Sequence, residues 1–199
     1  MFGIRRISGK WHLVIWLTFP VLSAIAILLS VLTGGTQPEF ETAKCMLSEP
    51  WAIIPFAIFI LIFGPLPEEL GWRGYTLDGL QARWNALTSS LFLGVMWALW
   101  HFPLFFMKGT FQNEMGFGTL NFWSFCLGPI VSSILFTWIY NNNKRSTLSA
   151  ILFHFMINFS GEPFSLTEQA RFYQLILLIV VAVSVTIIWG PKTLTLLKR

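Results

Sequence analysis

Apolar stretches long enough to cross a lipid bilayer dominate this chain of 199 residues. Hydrophobic residues make up 55% of the sequence and charged residues only 11%, which excludes a typical soluble domain. A helix needs about 20 apolar residues to span the hydrocarbon layer. Six segments predict such helices: Trp11–Leu32, Trp51 to about Leu70, Leu87–Met107, Leu120–Tyr140, Leu148–Phe159 and Phe172–Trp189. We therefore expect one all-α domain over residues 1–199, a polytopic transmembrane bundle of about six helices.

Basic residues are distributed unevenly among the segments that connect these helices. One side of the bundle is expected to carry Arg5, Arg6, Lys10, Arg73, Arg83, Lys144, Arg145, Lys192, Lys198 and Arg199. The alternate loops carry Lys44, Lys108 and Arg171 together with Glu39, Glu41, Glu49, Glu114, Glu162 and Glu168. By the positive-inside rule, both termini are predicted to be cytoplasmic. The net charge of +4 then reflects orientation in the lipid bilayer, and we expect no nucleic-acid partner.

Several polar side chains occur within or beside the apolar stretches, where an ionised group costs about 2.5–3.5 kcal/mol on insertion scales. Two adjacent glutamates and an arginine follow the second stretch, and one histidine lies in each of two later stretches. An asparagine follows the second of these histidines by four residues. These residues are Glu68, Glu69, Arg73, His101, His154 and Asn158. Because such groups usually mark a site, we take them as candidate functional residues.

Helical heights predict that these side chains meet. If Arg83-Trp84-Asn85 is the turn of a helical hairpin, the two glutamates precede Trp84 by 15–16 residues and His101 follows it by 17. At ~1.5 Å per residue, both arms rise roughly 24 Å to the same level. His154 lies eight residues beyond the turn Asn141–Ser146, about 12 Å into its own helix. His154 reaches the level of the glutamates and His101 if the Trp84 turn protrudes into the cytoplasm by about the difference in height. The site would then lie at a shallow depth beneath the cytoplasmic surface.

Local spacing supports the same grouping, although structural interpretations stay open. Glu69 with Arg73, and His154 with Asn158, are separated by four residues and can share a helical face. The alternative is that Pro67-Glu68-Glu69 starts a surface helix, with acids favoured by the helix dipole. His101 and His154 could equally satisfy interhelical hydrogen bonds. Neighbouring aromatic residues such as Trp97 are expected to serve in packing or in the aromatic belt.

Three short motifs resemble those of a known family. Glu68-Glu69-Leu70-Gly71-Trp72-Arg73 matches Glu-Glu-x-x-x-Arg, and His154-Phe155-Met156-Ile157-Asn158 matches His-x-x-x-Asn. Trp97-Ala98-Leu99-Trp100-His101 resembles Phe-x-x-x-His, with tryptophan where phenylalanine is usual. In this order and on hydrophobic segments, they resemble the motifs of the CPBP intramembrane proteases, also called the Abi or type II CAAX prenyl protease family. The resemblance covers about residues 51–159.

The resemblance implies hydrolysis of a peptide bond in a membrane-associated peptide or protein, which in some members is a prenylated CaaX tail. Short length and the lack of a eukaryotic targeting signal suggest a prokaryotic member in the plasma membrane. Chemically, Glu68 with His101 could activate water, while His154 and Asn158 donate hydrogen bonds to the oxyanion. Arg73 would hold Glu69 ionised.

The same residues allow a second chemistry and the fold allows other functions. Glu68, His101 and His154 resemble a catalytic Zn²⁺ set of two histidines and a glutamate, and the family is often called a metalloprotease. A metal-free mechanism is equally open. A non-catalytic bacteriocin-immunity or scaffold protein of the same fold is the main alternative function. An ion-coupled transporter is a third class, but no paired broken helices support it.

Overall fold

A computed structural model describes residues 7–196 of the chain, and every regular element in that range is helical. The α-helices are α1 Gly9–Leu32, α2 Glu41–Ser48, α3 Ile53–Phe63, α4 Pro65–Gly71, α5 Leu77–Gln81, α6 Ala86–His101, α7 Phe111–Met115, α8 Leu120–Asn142, α9 Thr147–Phe164 and α10 Glu168–Trp189. Short 3₁₀ turns at Pro50–Ala52 and Phe102–Phe106 and a π-helical turn at Trp72–Thr76 join some of them.

Five helical segments of the described chain are long and apolar enough to cross a membrane. They are Gly9–Leu32, Pro50–Gln81, Ala86–Phe106, Leu120–Asn142 and Glu168–Trp189. The predicted all-α polytopic bundle is thereby confirmed. The predicted span Leu148–Phe159 lies within α9, an 18-residue helix that is not among these five. Its His154, Asn158 and Glu162 lower the mean hydropathy of a helix that nevertheless packs inside the bundle.

The second span is interrupted where the candidate glutamates begin. Helix α3 ends before Gly64, whose φ of −133° and ψ of −88° break the helical path, and Pro65 starts α4. Proline suits this first helical position because its missing N–H would have no helical partner there. The break places Glu68 and Glu69 near the start of a new helix inside the bundle. Glu69 is fully buried, so the alternative of a surface helix start is wrong for that residue.

The core holds the long helices in close contact. Aromatic side chains of α1 meet those of α8 and α9, with ring centroids 4.8 Å apart for Trp11 and Trp138 and 5.1 Å apart for Phe19 and Phe153. Helices α6 and α8 approach at Gly94, where an added Cβ would lie 2.6 Å from the Cα of Ile130. A glycine is required at this crossing because any larger residue would force the two backbones apart.

The two ends of the bundle differ in charge. At one end, the turn before α6 meets the segment after α10, because the Ala86 N–H donates to the Lys192 carbonyl at 3.0 Å. The α8–α9 turn joins them through Asn142, whose amide donates to the Leu194 carbonyl at 2.7 Å. We call this the basic end; it carries Arg83, Lys144, Arg145 and Lys192. The predicted contributions of Arg5, Arg6, Lys198 and Arg199 lie outside the described residues, and orientation in the membrane stays a prediction.

Candidate active site

Glu69 is the centre of a buried charged network. Its Oε1 accepts hydrogen bonds from Arg73 Nη1 and from His154 Nδ1, both at 2.9 Å. Glu69 and Arg73 have no solvent-exposed surface. Arg73 also donates to Ser133 Oγ at 3.1 Å, and its guanidinium lies 4.0 Å from the ring centroid of Phe136. The predicted pairing of Glu69 with Arg73 is confirmed. Removing one partner of a buried ion pair is strongly destabilising, because the other charge is then left uncompensated.

The π-helical turn explains how this network forms locally. Arg73 lies in the wide turn Trp72–Thr76, and the Thr76 hydroxyl donates to the Gly71 carbonyl five residues earlier at 2.9 Å. The turn packs closely on α9, since a Cβ at Gly74 would lie 3.4 Å from the Thr147 side chain. Single π turns inside helices often occur at functional sites. Here the turn brings α4 against α9, so that Glu69 reaches His154.

Trp97 connects two further candidate residues, Glu68 and His101. Its indole Nε1–H donates to Glu68 Oε2 at 2.7 Å, and its backbone carbonyl lies 2.9 Å from His101 Nδ1. A carbonyl oxygen only accepts, so His101 carries its proton on Nδ1 and, when neutral, leaves a lone pair on Nε2. The sequence indicated only packing for Trp97. Its replacement of the usual phenylalanine was the signal for a polar role, because phenylalanine has no N–H to donate.

One cavity of about 780 Å³ brings four of the five predicted catalytic residues together. Glu68, His101, His154 and Asn158 line it, whereas fully buried Glu69 lies outside the lining and supports His154. Apolar walls come from residues such as Phe59 and Phe125. Pockets that bind organic ligands commonly have this size and this mixture of apolar walls with a few polar groups.

The cavity runs along α9 from His154 to the end of the helix at Phe164, a distance of about 15 Å, and Ser165 just beyond that end also lines it. Beyond α9, Thr42 of α2 and Gln112 of α7 line it as well. These segments lie at the end of the bundle opposite the basic end. We expected a site shallowly beneath the surface that carries the Trp84 turn. The cavity extends from these residues toward the other end of the bundle, which we call the acidic end because it carries Glu41, Glu114, Glu162 and Glu168. The depth of the site in the membrane stays a prediction.

Asn158 follows His154 by one turn of α9 and lies against the break before α4. A Cβ at Gly64 would be only 3.2 Å from Asn158 Nδ2, so the glycine leaves room for the amide. Sequence reasoning did not identify Gly64, although the run Gly64-Pro65-Leu66-Pro67 contains the usual signs of a helix break. The break therefore positions the glutamates and also admits Asn158 to the cavity wall.

The Zn²⁺ interpretation requires Glu68, His101 and His154 to converge on one point. Throughout residues 7–196, no three histidine, cysteine, aspartate or glutamate side chains are grouped closely enough to hold a metal ion. The second carboxylate, Glu69, is already engaged by Arg73 and His154. The arrangement of donors in this conformation does not fit a three-ligand Zn²⁺ site.

Comparison with known proteins agrees with the motifs. The sequence profile described as type II CAAX prenyl endopeptidase Rce1-like matches residues 50–160, which include all the candidate residues. CAAX prenyl protease 2 of Methanococcus maripaludis is 32% identical over 188 residues, covering 93% of this chain and 68% of the relative.

Proposed function

Because the chain belongs to the type II CAAX prenyl endopeptidase family, we propose that it hydrolyses a peptide bond of a membrane-associated substrate within its cavity. The observation that carries this proposal is the arrangement of Glu68 and His101, both oriented by Trp97 at the cavity wall. A carboxylate and an imidazole with a free lone pair provide a general base for water. The integral membrane character follows from the family and the apolar helices.

In the proposed reaction, Glu68 and His101 hold one water molecule, and one of them takes a proton as the water oxygen attacks the carbonyl carbon. The C–N bond then breaks, the stored proton passes to the leaving nitrogen, and the new carboxyl group keeps the water oxygen. Holding the water between two positioned groups removes much of the entropic cost of bringing the reactants together.

His154 and Asn158 are proposed to stabilise the oxyanion of the tetrahedral intermediate. Asn158 can donate from its amide without any change of charge. His154 donates Nδ1–H to Glu69, so its Nε2 can donate as well only when the imidazole is protonated. Glu69 and Arg73 act through His154: the carboxylate fixes the ring, and the guanidinium fixes the carboxylate.

The proposed substrate class is a peptide with a CaaX-type prenylated cysteine, since the relative from M. maripaludis is named a CAAX prenyl protease. The apolar cavity walls, which include Phe19, Phe59 and Phe63, would accommodate a lipid chain or hydrophobic side chains. The proposed location is a prokaryotic plasma membrane, with both termini in the cytoplasm.

The proposal is tested with purified protein in liposomes and an internally quenched peptide ending in a farnesylated CaaX sequence. Wild-type protein should cleave it, and Glu68→Ala should abolish turnover while the helical content is unchanged. Glu162→Ala removes another carboxylate of the same cavity, further along α9, and should retain activity. Cleavage that persists in Glu68→Ala would contradict the mechanism. A folded wild-type protein that leaves the peptide intact would favour an immunity or scaffold function. Activity lost on strong chelation would favour Zn²⁺.

A further inference from the structure

An arginine lines the proposed catalytic cavity, and its surroundings differ from those of Arg73, which is buried outside the lining. Arg171 is the fourth residue of α10 and lies near the acidic end of the cavity. Its Nε–H donates to Asn121 Oδ1 at 3.2 Å, and Nη2 makes a long contact of 3.4 Å with the Leu166 carbonyl. The guanidinium lies 5.6 Å from the Phe111 ring centroid. These contacts fix the side chain while using two of its five N–H donors.

The charge of Arg171 is not matched by a nearby acid. In the described part of the chain, no carboxylate lies within ion-pair distance of its guanidinium. Glu168, one turn earlier, accepts instead from the Asn121 backbone N–H at 3.2 Å. Glu162 also lines the cavity without forming an ion pair with Arg171. A partly buried arginine with unused donors, facing a substrate cavity, is suited to bidentate binding of a carboxylate.

The distance along α9 fixes where such a carboxylate would lie in the substrate. The helix ends at Phe164, about 9 Å beyond Asn158 and about 15 Å beyond His154, and Arg171 contacts Leu166 just after that end. An extended peptide covers at most about 3.3–3.6 Å per residue. Three to four residues therefore separate a bond held at His154 and Asn158 from a group held at Arg171.

We infer that Arg171 forms an anion subsite of the cavity, which binds a substrate carboxylate three or four residues from the cleaved bond. The inference rests on the proposed function, because the cleaved bond is taken to lie at His154 and Asn158. The carboxylate is either the free C-terminus of the substrate or an acidic side chain at that distance. In both cases Arg171 determines specificity and takes no part in the bond chemistry.

Three reporter peptides of otherwise equal sequence test the subsite: a C-terminal acid, its amide, and an amide with glutamate four residues after the cleaved bond. With wild-type protein, the amide should have a KM at least about tenfold higher than the acid or the glutamate peptide, since a charge-assisted pair is lost. If only the glutamate peptide has the low KM, the subsite binds an acidic side chain. If only the peptide with the C-terminal acid has the low KM, the subsite binds the C-terminus. Equal KM values for all three peptides would overturn the inference.

Variants separate the subsite from a structural role of Arg171. Arg171→Gln should reduce the difference between peptides to less than about twofold, and Arg171→Lys should keep part of it, because lysine retains the charge without the fork. Lys108→Gln removes a cation at the same end but outside the cavity lining, and should keep the full difference. A KM difference between the peptides that persists in a folded Arg171→Gln protein would overturn the inference.

Binding of the same peptides, fluorescently labelled, to the Glu68→Ala protein distinguishes this inference from the proposed function. Preferential binding of the acid or glutamate peptide, without cleavage by wild-type protein, would support the subsite and count against the protease. Cleavage without discrimination would leave the protease in place and overturn the subsite. No measurable binding of any peptide would also overturn the subsite.

Discussion

The indole N–H of Trp97 lies 2.7 Å from Glu68 Oε2, so a side chain of α6 orients a carboxylate of α4. The same tryptophan holds His101 through its backbone carbonyl at 2.9 Å. Glu68 and His101 thus depend on one residue for their relative positions. The aromatic residue of the second motif is therefore part of the polar site as well as of the packing.

Trp97→Phe isolates this hydrogen bond, since it keeps an aromatic ring and removes only the donor and part of the ring area. A hydrogen bond to a charged group contributes about 1.5–3 kcal/mol. We expect kcat for peptide cleavage to fall roughly 10–100-fold, with little change in KM. Trp100→Phe is the matched control, because Trp100 is 66% exposed on the outside of the same helix. Equal activity of Trp97→Phe and wild type would show that the bond does not position Glu68.

Sequence periodicity and hydropathy predicted most of the helices, because apolar runs of spanning length can satisfy their backbone only as helices. The break at Gly64 and the π turn at Trp72–Thr76 were not predicted. Both depend on how α4 packs against α9, for example on the room that Gly64 leaves for Asn158. The run Gly64-Pro65-Leu66-Pro67 carried the usual signs of a helix break, but the long apolar run before it suggested one helix continuing to about Leu70.

Spacing along one helix predicted the contact between Glu69 and Arg73, since residues four apart on a helix are neighbours. The contact between Glu69 and His154 joins residues 85 positions apart and could not be obtained from spacing. The helical rise per residue placed the candidate residues at one level. It could not decide which carboxylate meets which histidine, because rotation of each helix about its axis is set by packing. The polar role of Trp97 was missed because its aromatic ring indicated packing, although the indole N–H that phenylalanine lacks was a signal for it.

Asn158→Ala tests the oxyanion proposal. We expect kcat to fall about 10²–10³-fold with some activity remaining, because His154 would still donate. Gln112→Ala is the control, since it removes another amide from the cavity lining at its far end. Initial rates on the CaaX reporter peptide measure both variants. A wild-type rate for Asn158→Ala would exclude the amide as an oxyanion donor.

Glu69→Gln tests the buried network. Arg73 would keep its charge without a carboxylate in a site with no solvent exposure, which costs about 3–5 kcal/mol of folding free energy. We expect a large fall in thermal stability in detergent micelles and loss of cleavage. The control is Glu41→Gln, which breaks an exposed ion pair with Lys44 and should change stability by less than about 1 kcal/mol. Equal stability of the two variants would contradict the assigned role of Glu69.

Orientation in the membrane determines which surface the cavity reaches. The basic residues Arg83, Lys144, Arg145 and Lys192 lie at the end of the bundle opposite the Arg171 end of the cavity, so the positive-inside rule predicts that the Arg171 end faces away from the cytoplasm. A reporter fused after residue 199 should be cytoplasmic, and one inserted near residue 40 should be on the other side. Reporters on the same side would contradict the topology.

The most direct test of the account is a double-mutant cycle on Glu68 and His101, measured as single-turnover cleavage of the CaaX reporter peptide by Glu68→Gln, His101→Ala and the double variant. If the two side chains act together on one water molecule, each single change removes nearly all of the rate. The double variant should then be no slower than either single variant. A double variant whose rate loss equals the product of the two single losses would contradict the proposed water activation. A Glu68→Gln protein that keeps the wild-type rate would contradict it as well.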